Sequence, residues 1–120
     1  MRFLMLYRPA KPEGSPPTPR EMEEMGKFIE LTSKEGSLLY TEGCQSSSTG
    51  ARVRLANKKV KVNDGPFTET KEIIGGFAIV RAKSKADAIE LAKRFLDVAG
   101  DGETEIRLLH EAPAFAHQEA

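Results

Sequence analysis

The spacing of apolar and polar positions along the chain changes several times, and each change marks an element. Phe3-Leu4-Met5-Leu6-Tyr7 is an unbroken apolar run between Arg2 and Arg8, stopped by Pro9. Such a run predicts a strand buried on both faces. From Pro9 to Pro17 there are four prolines and a glycine, which predicts a loop. Thr18, Pro19 and Glu21 then form a helix start: a cap, a proline at the first helical position and the acid of a capping box. Met22, Met25, Ile29 and Thr32 share one face of that helix, and Gly36 stops it. A second strand is predicted over Ser37 to Thr41, followed by a small polar loop from Gly43 to Gly50. Val53 and Leu55 alternate with Arg52 and Arg54, and Val60 and Val62 with Lys59 and Lys61. This is a hairpin turning around Asn57-Lys58, its valines facing the core. Pro66 ends its second arm. Ile73 to Ala82 reads as the longest strand, with Gly75-Gly76 inside it. Ser84 and Asp87 make a second capping box, and Ala88, Ala92, Phe95 and Ala99 line a helix that ends at Gly100. Thr104 to Leu109 is the last strand, and residues 111–120 read as a tail.

Without the hairpin this order is the βαββαβ plan of a ferredoxin-like α+β fold. Its antiparallel sheet is covered on one face by two helices. At 120 residues the chain makes one domain. Strand residues on the uncovered face, Leu4 and Leu6 among them, are also apolar. Monomers rarely expose such a face, so a homodimer packing sheet on sheet is expected.

Composition narrows the partners. Eighteen basic and eighteen acidic residues cancel, which argues against nucleic-acid binding. Cys44 is the only cysteine, so no internal disulfide forms. Without a basic partner in the sequence it reads as an inert thiol. The apolar start is too short to span a bilayer and lacks the features of a signal peptide, so a cytoplasmic protein without a membrane contact is expected. No group of histidine, cysteine and carboxylates has metal-ligand spacing, and no redox-cofactor motif or activated-serine elbow occurs. Neither a metal nor a cofactor is therefore expected.

The most distinctive stretch is Asp64-Gly65-Pro66-Phe67-Thr68-Glu69-Thr70-Lys71-Glu72, followed by Gly75-Gly76-Phe77. With Phe3 to Tyr7, the Glu42-Gly43 step before a serine-rich loop, and Glu105-Ile106-Arg107, it resembles the YCII-related proteins, in the subgroup with a D-G-P-F motif. The resemblance implies a ferredoxin-like domain dimerising through its sheets as a dimeric α/β barrel. It implies no particular activity. Some members of the subgroup are linked or fused to sigma factors of the extracytoplasmic-function type, and some distant relatives act on small cyclic organic molecules. The wider family has a suspected histidine–aspartate pair with the histidine on the first helix. This chain has its two histidines at His110 and His117 instead.

Two readings of the motif stand side by side. Asp64-Gly65-Pro66 makes a turn by itself. Asp64 with Glu69, Lys71 and Glu72 also groups carboxylates with an ammonium, a set able to move a proton. On that reading Asp64 accepts the proton, in lyase or isomerase chemistry, and Lys71 neutralises developing charge. His110 is a further candidate. Tyr7, Ser46, Ser47, Ser48, Pro66, Phe67 and Glu69 would hold a small organic ligand in a dimer pocket near the motif. The alternative is a non-catalytic binding or regulatory module contacting a protein such as a sigma factor. A third reading is a structural dimer with no ligand. The burial of Asp64 discriminates among them.

Overall fold

The computed structural model describes residues 1–69 and 73–111. Its elements are β1 (Arg2–Pro9), α1 (Pro19–Glu35), β2 (Leu38–Gly43), β3 (Ala51–Ala56), β4 (Lys59–Asp64), β5 (Gly76–Arg81), α2 (Lys85–Ala99) and β6 (Gly102–Leu108), with one 3₁₀ turn at Ser47–Thr49. β2, β5, β1 and β6 form an antiparallel sheet in that order, with β1 and β5 central. This is the ferredoxin-like α+β arrangement, and two helices pack on one face of the sheet. Several strand boundaries differ from the sequence pattern, two of them by two residues or more at the start. β5 begins at Gly76 rather than Ile73, and β6 begins at Gly102 rather than Thr104.

Local chemistry sets both helix starts. The Glu21 N–H donates to Thr18 Oγ1 at 3.1 Å, and the Thr18 N–H donates back to Glu21 Oε1 at 2.9 Å. The bond from Thr18, with Lys11 nearby, holds the Glu21 carboxyl below its usual range. Thr18→Ala should cost about 1 kcal/mol, read as a lower melting temperature with an unchanged fold. At the start of α2 the predicted cap is present in half: the Asp87 N–H donates to Ser84 Oγ at 3.1 Å.

The core lies between α2 and the sheet. Phe3, Met5, Val80, Ala88, Leu91 and Ala92 are buried together. Phe3 and Met5 alternate with Leu4 and Leu6, whose cross-strand partners are Ile79 and Phe77. These four turn to the opposite face and are only half-buried. Tyr40 joins them, its ring 6.0 Å from that of Phe77. The apolar face away from the helices is therefore real. At its edge Arg8 pairs with Glu105 at 3.0 Å and Arg107 with Glu105 at 2.6 Å.

The hairpin corrects one expectation. β3 and β4 form a sheet of their own, and their valines do not face the core. Val53, Leu55, Val60 and Val62 are 57–72% exposed. The turn has the predicted place: Asn57 and Lys58 both take positive φ, 50° and 66°, as a tight hairpin turn requires. Alternation fixed which side chains share a face, but not what covers that face.

Gly75-Gly76 also has a plain structural use. A Cβ on Gly76 would sit 2.8 Å from the Glu42 carbonyl oxygen, and one on Gly75 would sit 2.9 Å from Pro9 Cδ. The close approach is to the chain's own β2 and β1.

Candidate functional site

The stripe of α1 that reads as core faces a cavity of about 690 Å³. Met22, Met25, Phe28 and Ile29 form one wall, because positions three and four apart share a helix face. Met5, Tyr7, Ala78 and Thr104 form the sheet wall, and Leu91 and Phe95 of α2 line the cavity too. The loop between β1 and α1, β2 with the segment up to Ser46, and Ile73 and Ile74 line other parts of it. Its volume lies within the roughly 300–1,000 Å³ of ligand sites.

The lining is mostly apolar, and Lys11, Glu13, Glu21, Glu42 and Gln45 are among its polar residues. The Tyr7 hydroxyl donates to the Gly100 and Asp101 carbonyl oxygens at 3.4 and 3.3 Å, and its ring meets Phe95 edge-on at 5.0 Å. Burial, helped by the Asp101 charge, pushes the Tyr7 phenol above its ordinary value of 10.0. It is neutral across the physiological range. Thr32 is buried, and its hydroxyl donates to the Phe28 carbonyl at 2.7 Å. Thr104 Oγ1 is buried with no hydrogen-bond partner among the described residues. A hydroxyl that forms no bond costs its desolvation, so Thr104→Val should leave thermal stability unchanged or raise it by about 1 kcal/mol.

The D-G-P-F segment sits at a junction of three loops. The Gly65 N–H donates to the Gly50 carbonyl at 3.0 Å. The Phe67 N–H donates to Ser47 Oγ at 2.9 Å, while Ser47 Oγ and the Ser47 N–H donate to the two Glu13 oxygens at 2.7 Å each. The Gly65-Pro66 bond is cis, and the Arg52 guanidinium lies over the Phe67 ring at 3.8 Å, a cation–π contact. Glu13 thus ties the β1–α1 loop to the serine loop, and the serine loop to the motif.

The sequence-predicted site residues divide between these places. Tyr7 and Ser46 line the cavity. Ser47 and Phe67 join at the loop junction, Ser48 donates to Ser46 Oγ at 3.1 Å, and Pro66 is exposed. Asp64, paired with Ala51 at the end of the hairpin, is exposed and does not line the cavity. Glu69 and His110 are exposed too, and the His110 carbonyl accepts from Arg2 at 3.4 Å. Lys71, like Glu72, and the tail beyond residue 111 lie outside the described residues. Cys44 is exposed at the cavity edge, its N–H donating to the Gly75 carbonyl at 2.9 Å. Among the described residues no three metal-ligating side chains group together. No helix among them is long and apolar enough to cross a membrane.

Sequence reasoning missed Phe28, Ile73, Leu91 and Thr104 as site residues. Phe28, Ile73 and Leu91 carried only an apolar pattern, which a packed core and a lined cavity share, and Thr104 carried none.

The fold and cavity define a ferredoxin-like α+β domain with a largely apolar cavity between its helices and its sheet. The sequence model of the YCII-related domain matches residues 1–111, so the chain belongs to the YCII-related family. A comparison with curated proteins finds no match.

Proposed function

We propose that this YCII-related protein, of the D-G-P-F subgroup, is a cytoplasmic homodimer that binds a small and largely apolar organic molecule. The observation that carries the reading is the 690 Å³ cavity walled by α1, α2 and the sheet. Its mostly apolar lining suits a compact ring system, and Tyr7, Lys11, Glu13, Glu21 and Glu42 among the lining residues offer polar groups to the ring's substituents. Asp64 is exposed and apart from that lining, which favours binding without proton transfer by Asp64. A panel of small arenes, cyclic ketones and cyclic enols in a thermal-shift assay tests the reading. A ligand at a hundred times its Kd should raise the melting temperature by on the order of 10 °C. No stabilisation by any member of the panel would count against it.

The dimer reading rests on the face formed by Leu4, Leu6, Phe77, Ile79 and Tyr40, which the helices leave uncovered. Two copies packed on it remove this apolar surface from water. Leu6→Glu places a charge on that face while leaving the helix-side core alone. Sedimentation should report a dimer for the native chain and a monomer for Leu6→Glu. A native monomer, or a dimeric variant, would contradict the reading.

The alternative, a regulatory module contacting a protein such as a sigma factor, is favoured by one observation: the exposed hairpin.

A further inference from the structure

The cavity meets solvent between two loops. Its exposed lining residues gather in the β1–α1 loop, at Lys11, Gly14 and Ser15, and just after β2, at Cys44 and Gln45. Met5, Val80 and Leu91 of the same lining are buried. The mouth therefore has the β1–α1 loop as one rim and the serine loop as the other. Glu13 links the two rims. Its half-buried carboxylate accepts the Ser47 N–H on Oε1 and the Ser47 hydroxyl on Oε2, at 2.7 Å each. Bonds that end on a carboxylate are stronger than neutral ones.

The rims are held in different ways. Residues 11–17 include Pro12, Pro16 and Pro17, which have no N–H to donate. Among the described residues no backbone hydrogen bond ties 11–17 to another element. Lys11 adds an exposed ion pair with Glu21 at 3.7 Å, of a kind that contributes little. Only the ends of the loop are pinned by the backbone and the cap: the Ala10 N–H donates to the Asp101 carbonyl at 3.0 Å, and Thr18 caps α1. Ser47, on the other rim, is fixed from behind by the D-G-P-F segment. Its Oγ accepts the Phe67 N–H at 2.9 Å, its carbonyl accepts the Gly50 N–H at 2.9 Å, and Gly65 packs against that carbonyl with no room for a Cβ.

We infer that the β1–α1 loop is a strap across the cavity mouth, that Glu13 is its latch, and that the D-G-P-F segment serves to hold Ser47 as the catch. This rests on the ligand reading and adds how the ligand passes. A ligand enters or leaves when Glu13 lets go of Ser47 and the loop swings on its pinned ends. The motif then acts at a distance from the ligand, which accounts for an exposed Asp64 beside a tightly bonded Gly65 and Phe67.

The test uses naphthalene, which has no polar group for Glu13 to hold. A change in its kinetics therefore reads the strap and not a lost bond to the ligand. Glu13→Ala removes both latch bonds, and helical circular dichroism should match the native chain. Without ligand, the ¹⁵N order parameters of Gly14 and Ser15 should fall from about 0.85 to below about 0.6. In stopped flow, followed by naphthalene fluorescence, association and dissociation should both quicken by on the order of tenfold, with Kd changed less than about threefold. Glu13→Gln keeps an acceptor for the Ser47 N–H and should lie between the two. It carries the same comparison should Glu13→Ala lose its helical signal.

Unchanged order and rates in Glu13→Ala, with naphthalene still bound by the native chain, overturn the latch and leave the ligand reading standing. Lower order with unchanged rates overturns the strap, because the loop then does not stand in the ligand's way. Faster dissociation alone, with a weaker Kd, also overturns it, by making Glu13 a plain wall of the site. A native chain that binds no arene overturns the ligand reading and the strap with it.

Discussion

Gly65→Ala should lower the melting temperature by on the order of 10 °C, a loss of about 3 kcal/mol. The cause is steric. A Cβ on Gly65 would run into the Ser47 carbonyl oxygen, a backbone atom that cannot swing aside. Ser47 is itself held by Glu13 through two hydrogen bonds, so moving it pulls on the β1–α1 loop as well. Gly26→Ala is the matched control. Gly26 lies inside α1, and an added Cβ there meets nothing within 4 Å. That change should raise stability by about 0.5–1 kcal/mol, because alanine loses less backbone entropy in a helix. Equal effects from the two substitutions, measured by thermal melting, would refute the role given to the junction.

The second large effect is on binding. Met25 is half-buried on the α1 wall of the cavity. Met25→Trp puts a bulky ring into space the ligand needs. Affinity for a small arene should fall at least a hundredfold, about 2.7 kcal/mol. Thermal stability of the free protein should hold or rise, since filling a void restores contacts that its walls lack. Calorimetric titration of both proteins with one arene checks this. Loss of binding together with a large fall in stability would mean that Met25 packs in a tight core rather than beside a chamber.

Much of the fold was legible because its signals are local. The Thr18–Glu21 box, the stop at Gly36 and the turn at Asn57-Lys58 each depend on a few neighbouring residues and appear where expected. The alternation in β1 likewise told that Leu4 and Leu6 face away from Phe3 and Met5. What covers a face is a different question, since it depends on surfaces distant in sequence. Val53 and Val62 alternate as core residues do, yet they stand exposed. Met22, Met25 and Ile29 repeat as core residues do, yet they wall a cavity. The tie from Glu13 to Ser47 joins two loops with no periodic signal at all. Asp64 stood out by its motif, but the cavity lies elsewhere, between helices and sheet.

The methionines offer the most direct test of the ligand reading. The chain has four, and Met5, Met22 and Met25 line the cavity whereas Met1 does not. Their methyl groups, labelled with ¹³C, report separately by NMR. Titration with naphthalene or with 1-tetralone should shift the Met5, Met22 and Met25 signals together, with one common Kd, and leave Met1 in place. Signals that stay fixed throughout, or a response confined to Met1, would contradict a binding chamber between α1 and the sheet.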